Sequence, residues 1–182
     1  MKFIPTYIPE IVLLKPKVFE DSRGYFMESF RKDLFAEHVA STEFTQDNES
    51  KSSYGVLRGL HYQIPPWAQS KLVRVLTGRV LDVALDIRKN SPTFGQHVAT
   101  ELSEENKQQL FIPKGFAHGF VVLSKEAIFS YKVDTPYAPD HERGIFYADP
   151  ELSIDWVLPE EETILSSKDQ ELPCLREAEL FK

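Results

Sequence analysis

Between Lys71 and Arg88, apolar and polar positions alternate in the clearest strand pattern of the chain. Val73 and Val75 run into a turn at Thr77 and Gly78. Beyond it Leu81, Val83, Leu85 and Ile87 alternate with Val80, Asp82, Ala84 and Asp86, which predicts a β-hairpin with one face in the core. Ile11 to Phe19 reads as extended, with its prolines spaced as on edge strands or in short linkers. Asp21, Ser22 and Gly24 mark a turn, and Gly24 to Phe30 predicts a short strand with aromatics to bury. Arg31 to Val39 has the spacing of a two-turn helix, placed to cover one end of a sheet. The polar run Phe44 to Ser53 suits either a solvated loop or an edge strand.

Further on, Ser103 to Gln108 suits one helical turn, and Leu110–Ile112, Phe120–Leu123 and Ala127–Val133 are short strands. Turn signals recur at Asn90–Pro92, Pro113–Gly115, Pro136–Pro139 and Asp149–Pro150. Ser167, followed three residues later by Gln170, resembles a capping box. Many short strands with little helix predict an all-β sandwich or barrel, the double-sheet jelly roll being one such form.

Composition narrows the class. A chain of 182 residues, 42% hydrophobic and 27% charged, suits one soluble domain across residues 1–182. The net charge of -7 argues against a nucleic-acid partner, which needs a broadly basic face, but leaves room for an anionic small ligand held by a few converging cations. The lone Cys174 forms no intrachain disulfide and reads as an inert buried thiol. Pro5, Pro9 and Glu10 interrupt any leader-like apolar run, and no stretch approaches membrane-spanning length, so the expectation is a cytoplasmic protein without a membrane partner.

The candidate chemistry lies in RGLHYQ (Arg58 to Gln63) and IPKGFAHGF (Ile112 to Phe120). In a strand, His61 points opposite to Leu60 and Tyr62, toward a barrel interior or toward solvent. Gly55, His61, Gln63, Lys71 and Gly78 are similar to the first cupin motif, with a longer insert before Lys71, and Pro113, Gly115 and His118 to the core of the second. Metal-binding cupins carry a histidine and a glutamate where Gln63 and Lys71 stand. A lysine there sets a cation beside a cation, so no metal and no cofactor is expected. Lys71, Arg58 and two histidines suit phosphate oxygens or an oxyanion forming on a carbonyl.

RGLHYQ, KLVRVLTGRVLDVALDIR, SPTFG, IPKGFAHGFVVLS, Tyr131–Lys132 and LSSKDQ together resemble the dTDP-4-dehydrorhamnose 3,5-epimerase family, in order from Arg23 to Pro173. The resemblance implies a cupin jelly roll with a few short helices that epimerises a 4-keto sugar nucleotide at C3 and C5. It implies His61 as base, Asp169 as its partner and Tyr131 as acid, with Lys71 stabilising the enolate beside His118. Arg23, Phe26, Glu28, Gln46 and Asn48 are implied nucleotide contacts, Arg58 and Lys168 diphosphate contacts, and Tyr137 a stacking residue. It implies further a homodimer with exchanged N-terminal strands. Trp67 departs from the family pattern and is expected near the pocket mouth, and Phe146, Tyr147 and Ala148 depart from it before Asp149. Rival readings are an epimerase that inverts one centre only, a metal-dependent cupin, and a sugar-nucleotide binding module without catalysis.

Overall fold

The computed structural model describes residues 1–181. In chain order its elements are β1 (Lys2–Pro5), β2 (Val12–Lys15), β3 (Val18–Asp21), β4 (Gly24–Met27), α1 (Lys32–His38), β5 (Gln46–Ser53), β6 (Leu57–Gln63) and β7 (Lys71–Thr77). There follow β8 (Arg79–Asp86), β9 (His97–Ser103), β10 (Gln109–Ile112), β11 (Phe116–Val122), β12 (Glu126–Val133), β13 (Glu142–Gly144) and α2 (Ser167–Gln170), with two short 3₁₀ turns. One sheet runs β1-β2-β10-β7-β12-β5 and the other β13-β6-β11-β8-β9, while β3 and β4 pair only with each other. This is the jelly-roll sandwich that the strand density predicts.

Three apolar clusters hold it. The main one lies between the sheets, where Val73, Val75 and Phe129 of the first meet Val80, Ala84, Phe120 and Val122 of the second. A second covers the outer face of the five-stranded sheet, with Val83, Leu85 and Ile87 packed under Ile145, Tyr147, Trp156 and Leu175 from the C-terminal segment. Phe146 and Tyr147 thus belong to a covering layer, with Trp156 Nε1 donating to the Tyr147 carbonyl at 2.9 Å, while Ala148 is exposed. The third cluster seats Phe35 of α1 on Leu14, Leu72 and Phe111, so the helix covers the outer face of the six-stranded sheet over β2, β10 and β7 rather than one end of it.

The main correction concerns Lys71 to Arg88. Its two halves are strands, but β7 and β8 lie in different sheets and form no hairpin. Gly78, at φ +80°, carries the chain across the sandwich, and a Cβ there would stand 2.1 Å from the Glu126 carbonyl oxygen. Nor does β8 bury one face only: Val80 and Ala84 fill the inner core while Val83 and Leu85 fill the outer layer. Alternation reports which residues share a face and carries no information about the pairing partner.

Smaller differences follow from local hydrogen bonding. Ser103 ends β9 and a turn follows it, not a helix, because the Asn106 side-chain oxygen accepts the Ser103 and Gln108 N–H groups at 3.1 and 2.9 Å and so satisfies them outside a helix. The helix cap is Ser166 rather than Ser167. Phe44 to Ser53 contributes an edge strand, β5. His97–Ser103, unpredicted, is the edge strand β9. Tyr25 and Phe26 are 53% and 66% exposed, so the β3–β4 hairpin leaves its aromatics uncovered. Cys174 is half-buried rather than buried, and burial raises its thiol pKa. No helix among the described residues is long and apolar enough to cross a membrane.

Gly78→Ala should destabilise the fold by about 2 kcal/mol or more, since it combines left-handed strain with a backbone collision. Urea unfolding monitored by tryptophan fluorescence would measure this. An unchanged midpoint would contradict the crossing role given to Gly78.

Candidate active site

Strand β6 sorts its side chains as the alternation requires. Leu60 and Tyr62 enter the outer layer, where Tyr62 Oη donates to the Glu179 carbonyl at 2.7 Å, and His61 faces inward. It lines a cavity of about 350 Å³ between the sheets, together with Arg58, Lys71, His118, Tyr131, Tyr137, Glu142, Lys168 and Asp169. Tyr131 stands on β12 and Lys71 on β7, both in the sheet opposite His61.

Asp169 reaches His61 because of how α2 is capped. Ser166 Oγ accepts the Asp169 N–H at 3.1 Å and donates to Asp169 Oδ2 at 2.8 Å, which turns Oδ1 toward His61 Nε2 at 2.7 Å. Gly144, opposite His61 in the β13–β6 register, admits this arrangement. A Cβ there would lie 2.6 Å from Leu172 and 2.9 Å from the Leu60 carbonyl oxygen, in the space where the segment after α2 packs. Burial pushes the Asp169 carboxyl up, but the His61 ring and the Ser166 hydroxyl outweigh it and hold the pKa below the ordinary value.

The cations and phenols are equally constrained. Burial lowers Lys71 to about 8, although Asp82 and Glu142 pull the other way, and its ammonium lies 3.4 Å from the His61 carbonyl oxygen. His118 Nε2 lies 2.9 Å from Asp82 Oδ2, and burial lowers its pKa despite that carboxylate, which favours a neutral ring. Burial raises the Tyr131 phenol above its usual value with Arg58 opposing, so it carries its proton at neutral pH. Arg58 is steadied by Ser52 Oγ at 3.2 Å.

Glu142 is the functional candidate that sequence reasoning missed. Its Oε2 accepts from Tyr137 Oη at 2.6 Å and from Lys168 Nζ at 2.5 Å, and its Oε1 lies 3.8 Å from His61 Nδ1. Gln63 serves the loops instead, since its amide donates to the Trp67 and Pro136 carbonyls and accepts the Ala138 N–H, tying two of them together. Trp67 does not line the cavity. Its ring lies 6.3 Å from His141, so its link to the pocket runs through its carbonyl and Gln63.

Five expected contacts do not line this cavity. Arg23 is held by Asp21 at 2.6 Å, Phe26 packs near Phe19 at 6.4 Å between ring centroids, and Glu28 lies 4.0 Å from Arg31. Arg23 and Phe26 border a separate cleft on the β3–β4 hairpin. Gln46 and Asn48 bond to each other at 2.8 Å beside the pocket, with Gln46 accepting the Tyr137 N–H and Asn48 opposite Tyr131 in the β5–β12 register.

A family model described as dTDP-4-dehydrorhamnose 3,5-epimerase matches residues 5–177. The chain belongs to the dTDP-4-dehydrorhamnose 3,5-epimerase family. It is 56% identical over 170 residues to the enzyme of that name from Shigella flexneri, across 93% of each chain. It is 52% identical over 182 residues to the one from Pseudomonas aeruginosa, across 100% of this chain and 99% of that one. A crystal structure of dTDP-6-deoxy-D-glucose-3,5-epimerase from Legionella pneumophila, in complex with dTDP-4-keto-L-rhamnose, superposes with a TM-score of 0.96 at 49% identity, over 100% of this chain and 97% of that one.

This family member keeps a lysine where burial opposes its charge. Because the folded pKa of Lys71 lies below the unfolded one, the cost is full below pH about 8 and is relieved as pH rises from there toward the ordinary lysine value. Lys71→Met should therefore raise the urea midpoint at pH 7, with the advantage shrinking on the alkaline side. A variant less stable than wild type at pH 7 would contradict this.

Proposed function

We propose that the chain converts dTDP-4-dehydro-6-deoxy-D-glucose to dTDP-4-dehydro-L-rhamnose by inverting C3 and C5, a step of dTDP-L-rhamnose biosynthesis in the cytoplasm. The carrying observation is the His61–Asp169 pair at 2.7 Å on one wall of a cavity whose other wall holds Tyr131. The C4 ketone makes the hydrogens at C3 and C5 acidic, since loss of either gives an enolate with its charge on the C4 oxygen. Inversion needs a base on one face, an acid on the other and a cation at that oxygen.

His61 takes the proton, and Asp169 fixes its tautomer and stabilises the imidazolium. Tyr131, protonated and on the opposite sheet, returns a proton to the other face. Lys71 stabilises the enolate oxygen, with His118 beside it. Arg58 and Lys168 hold the diphosphate, and Tyr137 stacks at the half-open end.

Arg23, Phe26 and Glu28 complete the nucleotide end from a second copy. A homodimer with exchanged N-terminal strands brings the β3–β4 hairpin over the partner's cavity and covers aromatics that one chain leaves exposed. Gln46 and Asn48 flank that end and offer amides to the base.

His61→Ala should lower turnover of dTDP-4-dehydro-6-deoxy-D-glucose by about 10² to 10⁴-fold, and near-wild-type turnover would sink the mechanism. Activity should also fall as pH rises through about 8, where Lys71 loses its charge, and a profile flat well beyond that pH would remove Lys71 from its role. Co-refolding His61→Ala with Arg23→Ala should restore activity at about one site in four, because one site of each mixed dimer is intact. Activity no greater than that of the separate variants would rule out a shared site.

A further inference from the structure

Two inversions in one pocket set a proton balance that the base and acid alone leave open. After the first, His61 holds the proton taken from carbon and Tyr131 has given its own away. His61 must lose its proton before it can act again, and Tyr131 must regain one.

The groups around His61 are Asp169 and Lys168 on α2, Glu142 on β13, Lys71 on β7, His118 with Asp82 behind it, Tyr131 on β12 and Arg58 on its own strand. Asp169 is engaged by Nε2 and Asp82 by His118. His61 Nδ1 is buried and has no hydrogen-bond partner. Among the described residues, the carboxylate left facing it is Glu142, with Oε1 at 3.8 Å, one small side-chain adjustment from hydrogen-bond range. Glu142 is only 16% exposed, but its other oxygen is bonded to Lys168 and Tyr137, which are 59% and 56% exposed. The carboxylate therefore bridges a buried imidazole nitrogen and the solvent edge of the pocket.

We infer that Glu142 is the proton relay of His61. Between the two inversions it takes the Nδ1 proton of the imidazolium on Oε1 and releases it to solvent at the Tyr137–Lys168 edge, while water returns a proton to the Tyr131 phenolate. The balance closes: one proton leaves carbon and reaches solvent, one leaves solvent and reaches carbon, and no redox change occurs. Burial raises the Glu142 carboxyl, but Lys168, Tyr137 and His61 outweigh it, which keeps the relay ionised and ready to accept. The inference rests on the epimerase reading above.

The test compares Glu142→Gln with wild type in rapid-quench assays with dTDP-4-dehydro-6-deoxy-D-glucose. First-turnover deprotonation is measured against steady-state turnover at increasing imidazole buffer. In the variant, steady-state turnover should fall at least about tenfold more than the first deprotonation, recover with buffer, and be accompanied by release of sugar inverted at one centre. Glu142→Asp should regain turnover without buffer, which separates relay from misfolding. First-turnover and steady-state rates that fall together without buffer rescue would overturn the relay and leave Glu142 a binding residue. Unchanged kinetics would overturn it as well. A wild-type protein that deprotonates neither carbon would instead sink the epimerase reading itself, and the relay with it.

Discussion

The Asp169 carboxylate held 2.7 Å from His61 between two sheets is the contact on which the rest of the site depends. Burying a carboxylate is unfavourable unless polar groups stand against its oxygens, and the fold places one at each. Ser166 takes Oδ2 through the cap of α2 and the imidazole takes Oδ1. That geometry in turn requires a glycine at 144, so that the segment after α2 can close over β6, and apolar residues at 60 and 62, so that His61 alone of the three points inward. A single ion pair thus links the alternation of one strand, the capping of one short helix and a close backbone approach.

Around this pair the pocket collects more charge than a core tolerates for stability alone. Lys71 is pushed toward neutrality, His118 is kept neutral against Asp82, and the Tyr131 phenol keeps its proton. Of these, the Lys71 shift is the one that opposes the fold at neutral pH, because a charged lysine is then held where burial disfavours it, whereas a neutral imidazole and a protonated phenol carry little such cost. The compensation comes from elsewhere, in the two apolar layers that sandwich the five-stranded sheet.

Much of this was legible in the chain. Short apolar runs between turn signals, with period-two alternation clearest from Lys71 to Arg88, located many of the strands, and RGLHYQ, IPKGFAHGF and LSSKDQ marked the segments that carry His61, His118 and Asp169 into one cavity. Strand partners were not legible, because β7 and β8 alternate like a hairpin although Gly78 sends them to different sheets. Glu142 escaped notice because it sits in a three-residue strand after a proline-bearing loop, too short for any period to single it out. Arg23, Phe26 and Glu28 had the right chemistry for a nucleotide but lie outside the cavity that holds His61, because the β3–β4 hairpin pairs only with itself and its placement relative to the two sheets is not legible in the sequence.

The most direct measurement is deuterium incorporation in D₂O, followed by NMR on dTDP-4-dehydro-6-deoxy-D-glucose with the wild-type protein and no reductase. A base and an acid on opposite walls of one cavity predict deuterium at both C3 and C5. Deuterium at one carbon only, or at neither with the nucleotide sugar bound, would contradict the account.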